Sequence, residues 1–219
     1  MAQQLIVEGN DAIALSVLCQ KAGLNPPVGY DIPLKYKSEF VKVGNGYNNA
    51  IHLLELALDD PNLSNIGIIV DANDAGYNNR WQSIRQKLAD KFSVASLLQA
   101  DSQIGAKIIV EPDLPTIGIW IMPDNANAGY LEHFLAKMIP AGDPLWQHTE
   151  LKINELSGLP FNELTPTRVG KAKLHTWLSW KKEPGKPFGQ AITAGYLPVD
   201  PLVVQQFLDW FSGTFELGK

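Results

Sequence analysis

Cysteine is nearly absent from this chain. Cys19 is the single one among 219 residues, so no internal disulfide framework exists and a reducing cytoplasm is the simplest setting. Long hydrophobic runs are missing as well. No stretch approaches the roughly 20 apolar residues that a membrane helix needs. The opening MAQQLIVEG has neither the basic start nor the apolar block of a signal peptide. These absences give the expectation of a cytoplasmic protein with no membrane partner. Spare positive charge is also lacking: 18 Lys and Arg stand against 23 Asp and Glu, a net charge of −5. Coating nucleic acid nonspecifically requires Lys and Arg on phosphates, so that class is disfavoured. An enzyme that grips nucleic acid through bound metal stays open, because acidic clusters are what such a site needs.

Several catalytic signatures are absent too. The histidines at 52, 133, 148 and 175 show neither H-x-H nor HExxH spacing, which argues against zinc. Gly170–Lys171 lacks the upstream glycine and the following Ser or Thr of a P-loop. No G-x-S-x-G elbow occurs. VGNGYNN at 43–49 half matches a dinucleotide turn, but Asn49 stands where the third glycine belongs, and a glycine turn is the simpler reading.

What is present is an alternation of strand and helix patterns. Strands are expected at 4–8, 39–43, 66–71, 106–111 and 116–122, and helices at 11–22, 48–58, 77–91 and 128–138. Apolar residues fill 66–71 throughout, as in a parallel strand buried on both faces. The alternation implies an α/β fold with a mainly parallel sheet flanked by helices. After Pro140 the strand signals stop. Helices are expected at 144–157, 167–181 and 200–211, with 183–189 (EPGKPFG) linker-like. The reading is an α/β domain over 1–140 and a helical C-terminal extension over 141–219, packed on it. Trp146, Trp177, Trp180 and Trp210 fall in that extension. Trp177 and Trp180 have a spacing that could stack on bases, but core packing is the stronger reading.

Three apolar runs end in acid. LIVEGND ends at Glu8 and Asp11, IGIIVDANDAG carries Asp71 and Asp74, and IGIWIMPDN carries Asp124. Ligands of parallel α/β sheets bind outside the carboxyl ends of the strands. If the three strands are neighbours, these acids converge. Gathered carboxylates repel one another, and a divalent cation removes that penalty; hard oxygen ligands suit Mg²⁺, or Mn²⁺ in its place. Singly, each acid also fits a cap or an Asx turn. On 167–181, Arg168, Lys171 and His175 share one helical face, which suits either phosphate or plain solvent.

LIVEGNDA followed by IIVDANDA resembles the Toprim domain, the catalytic core of topoisomerases, primases and OLD-type nucleases. The resemblance covers roughly residues 4–138. PDNANAGYLEHFL looks like the "LE" element of the nuclease-like branch. KAKLHTWLSW with PGKPFGQAI resembles the C-terminal part of a bacterial Toprim-like family of uncharacterised function. The resemblance implies Glu8 as general acid/base or metal ligand and Asp71 as the first acid of a D-x-D pair and a metal ligand. The second acid belongs at position 73, where this chain has Asn73. Glu8, Asp71 and Asp124 would then hold Mg²⁺ or Mn²⁺, with Asn73 as a weaker neutral ligand, Asp74, Asp11 and Glu132 assisting, and Lys171 as a cation near the metal. The implied activity is metal-dependent phosphoryl transfer or nuclease-like cleavage of nucleic acid. The alternative is a Toprim scaffold kept as a non-catalytic module for a protein partner, with Asn73 marking lost chemistry.

Overall fold

The computed structural model of the chain describes residues 2–9, 12–24 and 40–217; Asp11 lies outside them. Strands β1 (Ala2–Val7), β2 (Val41–Val43), β3 (Leu63–Asp71), β4 (Lys107–Ile109) and β5 (Thr116–Met122) form one sheet in the order β2-β1-β3-β5-β4. All pairings are parallel except β4 on β5. The protein is therefore α/β with a mostly parallel five-stranded sheet. The strand expected over 106–111 is only the short Lys107–Ile109 edge and runs backwards.

Helices α1 (Ala12–Lys21) and α2 (Tyr47–Leu58) cover opposite faces of the sheet, a consequence of period-two alternation in the strands. Leu5 and Val7 of β1 pack with Ala12, Leu15 and Leu18 of α1. Ile6, between them, packs in the other layer with Ile51 and Leu54 of α2. From β1 the chain winds outward through α1 to β2. It then returns through α2 and crosses to the far side of β1, where β3 lies. The winding direction reverses between β1 and β3, and a crevice opens there at the carboxyl ends of the strands.

Helices α3 (Gly76–Leu88) and α4 (Val94–Ser102) join the α2 layer through Ile84, Leu88 and Leu97. The sequence pattern places no helix at 94–102. Val94 and Leu98 point to solvent and only Leu97 and Ala100 are buried, so no apolar stripe announces it. Ser93 caps it, accepting from the Ser96 amide at 3.2 Å. The α1 layer holds α5 (Leu131–Ala136), α6 (Pro144–Ser157), α7 (Val169–Ser179), α8 (Phe188–Thr193) and α9 (Leu202–Phe215). Residues 183–189, linker-like in sequence, run directly into α8.

The sheet domain and the helices after residue 140 share one core: Trp120 of β5 meets Phe134, Phe207 and Trp210 edge-on or tilted, at centroid distances of 6.4, 5.2 and 5.7 Å. Trp177 is fully buried, whereas Trp180 is 44% exposed against His148. The last turn of α9 lies in a groove cut by two glycines in register, Gly67 of β3 and Gly118 of β5. A Cβ on Gly118 would sit 1.9 Å from Thr214 Oγ1, and one on Gly67 2.7 Å from Phe215 Cζ. The carbonyls at that helix end are satisfied by the sheet. Asn65 Nδ2 donates to Thr214 O at 2.9 Å, and Gln3 Nε2 donates to Phe215 O at 3.1 Å.

Overpacking of that groove sets the first prediction. Gly118→Ala destabilises by about 1–3 kcal/mol, read as a lower urea midpoint at unchanged slope. Adding Thr214→Ala recovers part of the loss. Additive losses in the double variant would show that the groove is not the contact that matters.

Candidate functional site

Glu8 follows β1 and Asp71 ends β3, so the two acids stand at the ends of adjacent strands on either side of the reversal point. They are joined directly: the Asp71 amide donates to Glu8 Oε2 at 3.0 Å. The Glu8 backbone is fixed as well, its amide donating to Ile69 O and its carbonyl accepting from the Gly46 amide. Asp71 O accepts from Arg80 Nε at 3.0 Å, and the Arg80 guanidinium lies 3.9 Å from the Tyr47 ring centroid. Both acids line a cleft of about 560 Å³.

The opposite side of the same cleft carries Glu132 of α5 and Lys171 of α7. Lys171 Nζ donates to Glu132 Oε1 at 2.7 Å. The carboxylate is 7% exposed and the lysine 41%, so the ammonium reaches towards the opening while its partner is held inside. Lys171 Nζ also stands 5.1 Å from the centre of the Tyr130 ring. Gly170 permits this approach, since a Cβ there would meet His133 Nε2 at 2.5 Å and Tyr130 Oη at 2.9 Å. Tyr130 in turn donates its hydroxyl to Thr167 O at 2.8 Å, pinning the start of α7 to α5.

The start of α5 is a capping box in which the Tyr130 amide donates to His133 Nδ1 at 3.3 Å. The His133 pKa is held below its ordinary 6.5, first by burial and then by Lys137, Lys173 and Lys171, against the pull of Glu132. A neutral imidazole is what the cap requires, because a protonated Nδ1 cannot accept.

The other expected site residues lie elsewhere. Asp124 is not among the residues lining the cleft; it borders a separate hollow with Asn125, Trp120 and Trp210. Its Oδ1 accepts from the Ala126 and Asn127 amides at 3.2 and 2.9 Å, and Lys137 Nζ stands 3.2 Å from Oδ2. Burial pushes its pKa up, but the Asn127 and Lys137 contacts outweigh that and hold it below the ordinary carboxylate value. Asp124 thus serves an Asx turn, and the expected convergence narrows from three strand ends to two. Asn73 has φ 48°, and its amide and carbonyl pair with Gly129 at 2.7 and 3.2 Å; its backbone ties the β3 loop to the start of α5. Asp74 is exposed and does not line the cleft. Arg168 and His175, expected to share a face with Lys171, are exposed and outside the cleft lining. Among the described residues, no group of three His, Cys, Asp or Glu side chains could hold a metal ion.

A sequence family described as "Protein of unknown function (DUF3226)" matches residues 2–216. The chain belongs to this family. No curated protein and no solved structure matches it.

Some cleft residues escaped sequence reasoning. Asn45 and Gly46, inside the VGNGYNN turn, line it with positive φ angles of 53° and 129°; the glycine pattern was visible there, though not its place. Pro187, Phe188 and Gly189 line it from the segment that reads as a linker. Ile13 of α1 completes an apolar side.

The His133 cap carries a pH dependence. The folded pKa lies below the unfolded one, so its contribution is complete above about pH 6.5 and lost as pH falls through the folded value. His133→Gln keeps an acceptor at the capping-box position without the titration. The urea midpoint of the wild type therefore falls more steeply on acidification below about pH 6.5 than that of His133→Gln. Parallel curves would remove the histidine from the pH response.

Proposed function

We propose that this protein is a divalent-cation-dependent phosphoryl-transfer enzyme, Toprim-like and nuclease-like in character, acting on phosphodiesters of the kind found in nucleic acid. The observation that carries the reading is the pairing of Glu8 and Asp71 at the winding reversal, in one cleft with Lys171. Mg²⁺ typically keeps several waters and takes one or two protein carboxylates plus phosphate oxygens from its ligand. Two strand-end acids, with no three-acid cage among the described residues, fit a cation shared with substrate better than a resident one. Glu8 and Asp71 would hold it, and when bound it would neutralise charge on the phosphate.

The chain's own groups have distinct tasks in this reading. The Asp71 amide occupies Glu8 Oε2 and fixes the carboxylate's orientation. The other Glu8 oxygen would be the one that ligates the cation. Lys171, anchored by the buried Glu132, supplies the positive charge that a transferring phosphoryl group needs.

Asn73 favours a second reading, a non-catalytic binding or assembly module on the same scaffold. The resemblance asks for an acid at this position. The chain instead uses asparagine, which tolerates the left-handed backbone found there. Metal-dependent turnover abolished by Asp71→Asn would dispose of that reading.

The test is thermal. Mn²⁺ together with inorganic phosphate raises the melting temperature by more than the sum of either alone, and Glu8→Gln or Asp71→Asn each removes the excess. A strictly additive response in the wild type contradicts a cation shared between these acids and phosphate.

A further inference from the structure

We propose that the cleft takes one nucleotide-sized phosphodiester at a time and that it does not bind a polymer. This rests on the phosphoryl-transfer reading above and narrows its substrate class. Three observations favour it. The first is volume: about 560 Å³ lies within the range of small-ligand pockets, and a duplex needs a far longer track. The second is the chemistry of the lining. The strand ends and α7 bring Glu8, Asp71 and Lys171, while α1 and α8 bring Ile13, Pro187 and Phe188. Ile13 is 36% exposed, and the Phe188 ring already stacks at a tilt on His175, 5.2 Å away. A charged group and a flat apolar group are thus accommodated by different elements of one cleft, as a nucleotide requires.

The third observation is the state of the lysines on α7 and on the segment that joins it to α8. Binding a polymeric backbone requires several Lys or Arg free to replace condensed counterions. Here Lys171 is engaged by Glu132, Lys173 by Glu150, Lys181 by Asp143 and Lys186 by Glu183. The helical layer around the cleft has spent most of its positive charge internally, and the chain is acidic overall. A single phosphate can compete with Glu132 for the exposed Lys171 ammonium. Among the described residues, the lysines that follow Lys171 at positions 173, 181 and 186 are already paired, which leaves a phosphate chain few cations to follow.

The reaction assigned to the site is hydrolysis. A water oxygen bonds to phosphorus and the ester P–O bond breaks. The leaving oxygen takes one proton of the water, and the phosphomonoester retains the other.

The experiment uses the full chain. Bis(p-nitrophenyl) phosphate, a single-stranded oligodeoxynucleotide and supercoiled plasmid are each incubated with Mn²⁺. Binding of thymidine monophosphate is followed in parallel by calorimetry, with and without the metal. Release of p-nitrophenolate is expected, reduced at least about tenfold in Asp71→Asn, with both DNA substrates intact. Phe188→Ala and, independently, Ile13→Ser raise KM and weaken thymidine monophosphate binding severalfold; their melting curves report whether each is folded. Cleavage of either DNA by wild type but not Asp71→Asn overturns the small-substrate inference and leaves the phosphoryl-transfer reading standing. Unchanged nucleotide binding in folded Phe188→Ala and Ile13→Ser likewise overturns the inference alone. No turnover of any substrate, with no metal-enhanced nucleotide binding, overturns both.

Discussion

The hydrogen bond from the Asp71 amide to Glu8 spans the one place in the sheet where the chain leaves in opposite directions from neighbouring strands. Elsewhere along β1 and β3, backbone ladders hold the strands in register. At their carboxyl ends the ladder stops, because α1 departs from β1 over one face and α3 departs from β3 over the other. A carboxylate that accepts a main-chain proton closes the gap that this divergence leaves. It also puts two acids side by side where helices cannot crowd them. The position of the cleft follows from connectivity, and its chemistry from which side chains terminate the two strands.

The far side of the cleft is built by different means. Glu132 is buried at the start of a short helix, and its charge is tolerable because Lys171 answers it at 2.7 Å. Removal of one partner from such a pair is far more damaging than its net contribution suggests. Tyr130 and the small Gly170 set the approach of α5 and α7, and the Asn73–Gly129 bridge ties that assembly to the end of β3. The two sides of the cleft are therefore mechanically linked through one left-handed asparagine.

Much of this was legible in the sequence, for identifiable reasons. β3 and β5 are rich in β-branched residues buried on both faces, and the parallel pairing of β1, β3 and β5 follows from the helices between them. Glu8 and Asp71 stand out because carboxylates end apolar strands. Asp124 looks the same in sequence, yet its oxygens are taken by the amides two and three residues on. Only the turn geometry separates a ligand-like acid from a capping one. The Glu132–Lys171 pair was not legible as a pair, since 39 positions separate its members. α8 escaped notice because six residues give too few turns for a stripe, and α4 because it exposes half its apolar side chains. Helix ends moved by a residue or more where caps decide them, as at Tyr130 for α5.

The seat of α9 between Gly67 and Gly118 bears on how the polypeptide comes together during synthesis. The strands that form the groove emerge from the ribosome well before the helix that fills it. Until Thr214 and Phe215 arrive, Trp120 and its neighbours have no lid, and a nascent sheet presents a wide oily face to the surrounding cell. Contacts so distant along the chain form late and slowly, and intermediates with uncovered apolar surface are the ones prone to self-association. A fold that entrusts the closure of its core to a segment made so late depends on that interval being short or chaperoned.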